Sequence, residues 1–309
     1  MHARSGGQSA ERAPHELAVA YVAVSGVYGP LWLARDAELF KQHGVDVSLQ
    51  FFDPTAGIQA LIAGEMDVYA GGTAALDAAL NGNDLVYVGS LLEKFVLSLF
   101  SLPEIKDVSG LRGAVLGVSQ PGTPSHAGAQ VVLRRSGLVP DRDVTIAFLK
   151  GGAEILAALQ QRTIQAGIIH PPLTALARKA GLRELEDLGS LPARFPQTAF
   201  VVTRATLRTR PDPLTRFFKG YADGVRRARA RPQQAIEVIG RYTRVAEPEV
   251  NRENYQAFAP WWEMPPRVSE AGLQTALSLS THPQAASVTP ADLIDNRIVQ
   301  QLSEAGFFR

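Results

Sequence analysis

At 309 residues the chain exceeds one typical domain, and its 46% hydrophobic content is enough for two lobes with cores of their own. With 31 basic against 30 acidic side chains there is no sustained positive face, which excludes a nucleic-acid surface; the local cluster "GVRRARARP" (224–232) reads as the solvated last turn of a helix. The absence of cysteine excludes disulfides, thiolate metal sites and thiol nucleophiles.

Residues 1–15, "MHARSGGQSAERAPH", lack the apolar core of a signal peptide and read as a disordered tail, with the signal sequence absent from this chain if the protein is exported. No later stretch reaches the roughly 18 apolar residues of a membrane span. "ELAVAYVAV" (16–24) has strand composition, and "GPLWLARDAELFKQHG" (29–44) predicts one helix ending at Gly44. A strand (45–52), a helix (55–65), a strand (66–72) and a helix (73–82) follow. This alternation predicts a parallel sheet covered on both faces.

The same succession returns roughly a hundred residues further on: "AVLGVSQ" matches "LAVAYVA", "VTIAFLK" matches "VSLQFF", and "AALQQRTIQAGIIHPP" matches "QALIAGEMDVYAGGT". Two similar α/β lobes are the economical reading. Strand-like "DLVYVGS" and "KFVLSLFS" lie between the repeats, and "TAFVVTRATL" (198–207) reads as one long strand. A chain leaving near Ser98 to Leu102 and returning near Gln197 to Val202 gives two crossover strands. The first lobe is then 16–100 with 200–309, its last third helical, and the second is 101–199.

Ligands of open parallel sheets sit beyond the carboxyl ends of the strands. Here those loops are "SGVYG", "GGT", "SQPGTPSH", "KGG" and "HPP", whose small residues and hydroxyls let backbone amides approach a ligand. The phosphate-loop template fails in "GVSQPGTPSH", which has no lysine after its glycine. The six histidines are scattered without metal-ligand spacing, and G-x-S-x-G is absent. Neither a metal nor a cofactor is expected.

The segments "PLWLARDAELFKQHGVDVSLQFF", "GIQALIAGEMDVYAGGTAAL", "VSGLRGAVLGVSQPGTPSHAGAQVVLRRSGL" and "AALQQRTIQAGIIHPP" carry a resemblance, extending over roughly residues 17 to 245. The chain resembles the extracytoplasmic solute-binding proteins of ABC importers, in the nitrate, sulfonate and taurine group related to thiamine-precursor binders. The resemblance implies a type II periplasmic-binding-protein fold: two Rossmann-like lobes joined by two crossover strands. It also implies a periplasmic or extracytoplasmic monomer that closes on a small organic molecule and delivers it to the importer's permease, contacting that partner through exposed acidic side chains.

Carried over by position, the first lobe offers Ser25, Gly26, Val27, Tyr28, Gly71, Gly72 and Thr73, with Ser90 or Leu91 near the crossover. The second offers Ser119, Gln120, Gly122, Thr123, Pro124, Ser125 and His170. Tyr28 is expected as an aromatic wall, and Thr123 with Ser125 as caps of the next helix that also face the ligand. Lys94 and Lys150 are the nearest cations. The solute stays open among a sulfonate, a carboxylate and a heteroaromatic. Enzymes of this fold that depend on cysteine are excluded, whereas one resembling a thiamine-pyrimidine synthase or a decarboxylase, with His170 or His126 as general base, remains the alternative.

Overall fold

The computed structural model describes Ala13 and residues 15–309; apart from Ala13 and His15, the tail expected over 1–15 lies outside the described residues. The first part of the chain gives β1 (Glu16–Tyr21), β2 (Asp46–Phe51), β3 (Val68–Gly71) and β4 (Leu85–Leu92). Every residue of β3 and β4 is buried, as strands covered on both faces must be. Alternating with these strands are α1 (Gly29–Asp36), α2 (Leu39–Gln42), α3 (Pro54–Ile62) and α4 (Ala74–Leu80). Asp53 fixes the start of α3 by accepting from the N–H groups of Thr55 and Ala56.

One expectation fails here. The helix predicted over 29–44 is broken by Glu38, whose left-handed backbone (φ 56°) separates α1 from α2 and lets Phe40 turn inward to stack on Phe217.

The second series comprises β5 (Ser98–Ser101), β6 (Val115–Val118), β7 (Thr145–Phe148), β8 (Ala166–Ile169) and β9 (Arg183–Asp187), with α5 (Pro124–Arg135), α6 (Gly152–Gln160) and α7 (Leu173–Lys179). β10 (Thr198–Thr203) follows. The long strand expected over 198–207 stops at Thr203, whose hydroxyl accepts from the Thr206 N–H at 3.0 Å and caps α8 (Arg204–Thr209). The chain then runs through α9 (Pro211–Ala230), α10 (Pro232–Thr243), α11 (Pro248–Phe258) and α12 (Glu270–Leu279), each opened by proline or a capping residue.

Two five-stranded sheets result, with strand orders β2-β1-β3-β10-β4 and β7-β6-β8-β5-β9. In each, three parallel strands are followed by an antiparallel one in fourth place, β10 in the first sheet and β5 in the second. Each of these strands follows directly on a passage from the other sheet. The chain therefore changes lobes in the segments 93–97 and 188–197, just before the strands that sequence reasoning proposed as the crossovers.

The two passages are bound to each other in layers. Glu93, buried in the first, accepts from the Arg194 guanidinium of the second at 3.0 Å, and from both the N–H and the hydroxyl of Ser269 at the start of α12. Phe95 and Phe195 stack with ring centroids 4.2 Å apart. Nearest the cleft, the Val96 N–H donates to Gln197 Oε1 at 2.6 Å.

Candidate functional site

A cavity of about 170 Å³ lies between the lobes, beyond the carboxyl ends of the parallel strands. The connection from β1 to α1 places Ser25, Val27 and Tyr28 on its wall, and the turn into α4 places Gly72 and Thr73. From the second lobe come Ser119, Thr123, Pro124 and Ser125 at the start of α5, and His170 after β8. These are the positions where the sequence repeat put its loops.

The remaining candidates do other work. Gly26 donates its N–H to Asn254 Oδ1 at 2.9 Å and accepts from the Trp262 indole, so it seats α11. Gly71 leaves the space that the Tyr69 ring occupies. Ser90 is tied by its N–H to the Pro266 carbonyl, and Leu91 lies in the core. Gln120 accepts from the Thr55 hydroxyl across the lobes at 3.4 Å. Gly122, at φ 74°, brings its backbone against the Asp77 carboxylate of the first lobe. Lys94 is spent at the crossover, donating to the Gly189 and Leu191 carbonyls, whereas exposed Lys150 reaches the cavity rim.

Tyr28 is more wedge than wall. Its ring packs against Tyr21 and Trp32, and its hydroxyl donates to the Ala70 carbonyl at 2.8 Å; burial keeps the phenol protonated. Thr123 holds the N-cap position without capping, because its hydroxyl donates to the Gln120 carbonyl at 2.7 Å instead. Ser125 accepts from the Ser119 N–H, and its hydroxyl lies 2.8 Å from Ser119 Oγ and 3.1 Å from Thr123 Oγ1. With the Thr123 proton committed, the Ser125 proton points to one neighbour or the other. Ser119 then presents a free donor in one arrangement and a lone pair in either.

Sequence reasoning missed Tyr69 and Gln197, which both line the cavity. Tyr69 looked like a core residue of "MDVYAGG"; the signal for it was the pair of glycines after an aromatic. Gln197 is a lone amide in an apolar passage. Among the described residues no carboxylate lines the cavity, and no group of three His, Cys, Asp or Glu is placed to hold a metal.

Both candidate histidines favour the neutral ring. Burial lowers the pKa of each. His126 lies off the cavity wall, with Nδ1 accepting from the Gly122 N–H at 3.1 Å, so Nε2 carries the proton. Gln130 meets that Nε2 at 3.1 Å, and the pairing is favourable with its amide oxygen, otherwise without a partner, turned to the ring. His170 lies on the wall with Nδ1 2.8 Å from the Pro171 carbonyl.

Each ring binds a proton more readily in the unfolded chain. Their stability contribution is therefore whole above the ordinary value of 6.5 and is lost as the pH falls below it toward the lowered folded values. Urea midpoints are expected to drop between pH 7.5 and 5.5, and the His126→Asn, His170→Asn double variant to show a smaller drop than the native chain. Equal drops would refute the assignment.

Two mixed sheets joined by a braced double passage, with a cavity walled by both, define the two-lobed periplasmic-binding-protein fold. A family model described as NMT1/THI5 like matches residues 26–235, and the chain belongs to that family. A search of curated proteins gives no match. Solved structures do match. The alkanesulfonate-binding protein SsuA from Xanthomonas axonopodis pv. citri, bound to MOPS, is 20% identical, with 93% of this chain and 100% of its own covered at a TM-score of 0.76. The periplasmic aliphatic sulphonate binding protein SsuA from Escherichia coli is also 20% identical, with 94% and 92% covered and a TM-score of 0.75. The periplasmic nitrate-binding protein NrtA from Synechocystis PCC 6803, at 9% identity, covers 96% and 91% with a TM-score of 0.77.

Proposed function

We propose that the protein captures a small organic solute between its lobes outside the cytoplasm and delivers it, unaltered, to the permease of an ABC importer. The observation that carries this reading is the shared wall: neither lobe alone encloses the cavity, so a solute touching both stabilises the closed arrangement over the open one. The passages 93–97 and 188–197 act as the hinge. Family membership and the sulfonate- and nitrate-binding proteins among the structural neighbours support the reading.

The enzyme alternative has less behind it. His126 has both nitrogens engaged away from the cavity, and His170 has no carboxylate beside it to complete an acid–base pair among the described residues.

Native mass spectrometry of the purified protein tests the proposal, followed by small-angle scattering on returning the solute to the stripped chain. One intact molecule per chain and a fall in the radius of gyration are expected. Chemical conversion of the solute, or binding with no compaction, would overturn it.

A further inference from the structure

The cavity wall is unevenly supplied with hydrogen-bonding groups. Tyr69 is 0% and Thr73 6% exposed, and the Oη of one and the Oγ1 of the other are buried with no partner in the protein. Such groups are costly to bury unpaired. Burial holds the Tyr69 phenol well above its usual range, so it keeps its proton. Gln197 is fixed by its oxygen to the Val96 N–H, which leaves its N–H groups as the unpartnered end on the cavity side.

The opposite jaw carries the complement. A carbonyl only accepts, so His170 Nδ1 carries the hydrogen shared with the Pro171 carbonyl, and Nε2 is left as a bare lone pair. Unpartnered donors therefore stand on the first lobe and the crossover, and the second lobe sets against them the His170 acceptor, beside Ser119, which offers a lone pair in either of its arrangements and a proton in one. The only charged side chain on the wall among the described residues is exposed Lys150 at the rim, so an ion held inside would lack a buried counter-charge.

We infer that the solute is an uncharged amide-type molecule, whose carbonyl oxygen accepts from two of these donors, Tyr69 Oη and Gln197 Nε2, and whose N–H is taken by His170 Nε2. The inference rests on the cleft being the binding place. A cavity of ~150 Å³ holds a six-carbon ring, so the available 170 Å³ suits a single ring bearing this group. Open carboxamides and ring lactams share the chemistry. Gln197 adds a second role: the solute's grip on its N–H strengthens the bond its oxygen makes to Val96 and so draws the two passages together.

Calorimetric titration of the stripped full chain at pH 7.5 with benzamide, 2-pyridone, benzoate and benzenesulfonate tests the inference. One of the two amides is expected to bind at least tenfold more tightly than the acid and the sulfonate, the better amide deciding between open and cyclic forms. Gln197→Glu keeps an oxygen for Val96 but removes the donor, and should weaken that amide about tenfold; Tyr69→Phe should do the same without touching the hinge.

An acid or sulfonate binding as tightly as the amides, failure of both amides to bind, or unchanged amide affinity in both variants would overturn the inference. Scattering on the same samples separates the two readings. If benzoate binds and the chain compacts, only the solute class fails; if a probe binds without compaction, the cleft reading fails as well.

Discussion

Gly72→Val is expected to weaken solute binding roughly 5- to 150-fold and to lower the urea midpoint as well. A Cβ at this position falls 2.9 Å from the Gln197 carbonyl oxygen and 3.1 Å from Pro124 Cγ. Pro124 opens α5 on the opposite jaw, so that contact belongs to the closed arrangement. Overpacking of this kind costs about 1–3 kcal/mol; the contact with Pro124 falls on closure, and the one with the Gln197 carbonyl falls on the first lobe itself. Gly122→Ala should act in the same direction, since its Cβ would meet the Asp77 carboxylate across the cleft and its φ of 74° disfavours any side chain. Titration calorimetry measures the loss, and scattering at saturating solute shows whether the variant fails to compact. Native affinity in Gly72→Val would mean that the lobes do not meet here when the solute is bound.

Glu93→Ala should produce a different pattern, with a large loss of stability from a residue that never touches the cavity. The carboxylate is 1% exposed and accepts from Arg194 and from the N–H and hydroxyl of Ser269. Removing it empties a buried site and leaves the partly buried N–H and hydroxyl of Ser269 without their acceptor, at a cost of about 2–3 kcal/mol. Arg194→Ala should cost less, because its side chain is 55% exposed and water replaces much of what it loses. Urea unfolding of the two variants checks the order. Equal small losses would show that the Glu93 cluster does not brace the hinge.

Much of this architecture was legible in the chain because it repeats. The matched runs around β1, β2 and β3 and around β6, β7 and β8 set two parallel cores, and the loops after them supplied most of the cavity wall. Ser90 and Leu91 were misplaced because β10 inserts between β3 and β4, moving the end of β4 one strand outward. That insertion comes from residues more than a hundred positions away and leaves no local mark. The break at Glu38 is equally silent, since neither glycine nor proline announces it. Tyr69 and Gln197 matter for what their polar atoms lack or have already spent, which is a property of packed neighbours and not of residue type.

The strand order also sets an order of assembly. All five strands of the second sheet lie within one unbroken stretch, residues 98–187, so that sheet has its full complement once β9 exists. The first sheet does not: its interior place between β3 and β4 stays empty until β10 emerges at 198–203, and the helices α8 to α11 come later still. During synthesis the sheet that begins last is therefore the one whose strands are complete first. β3 and β4 wait, with no strand between them, for a partner that follows the whole of the second sheet in the chain.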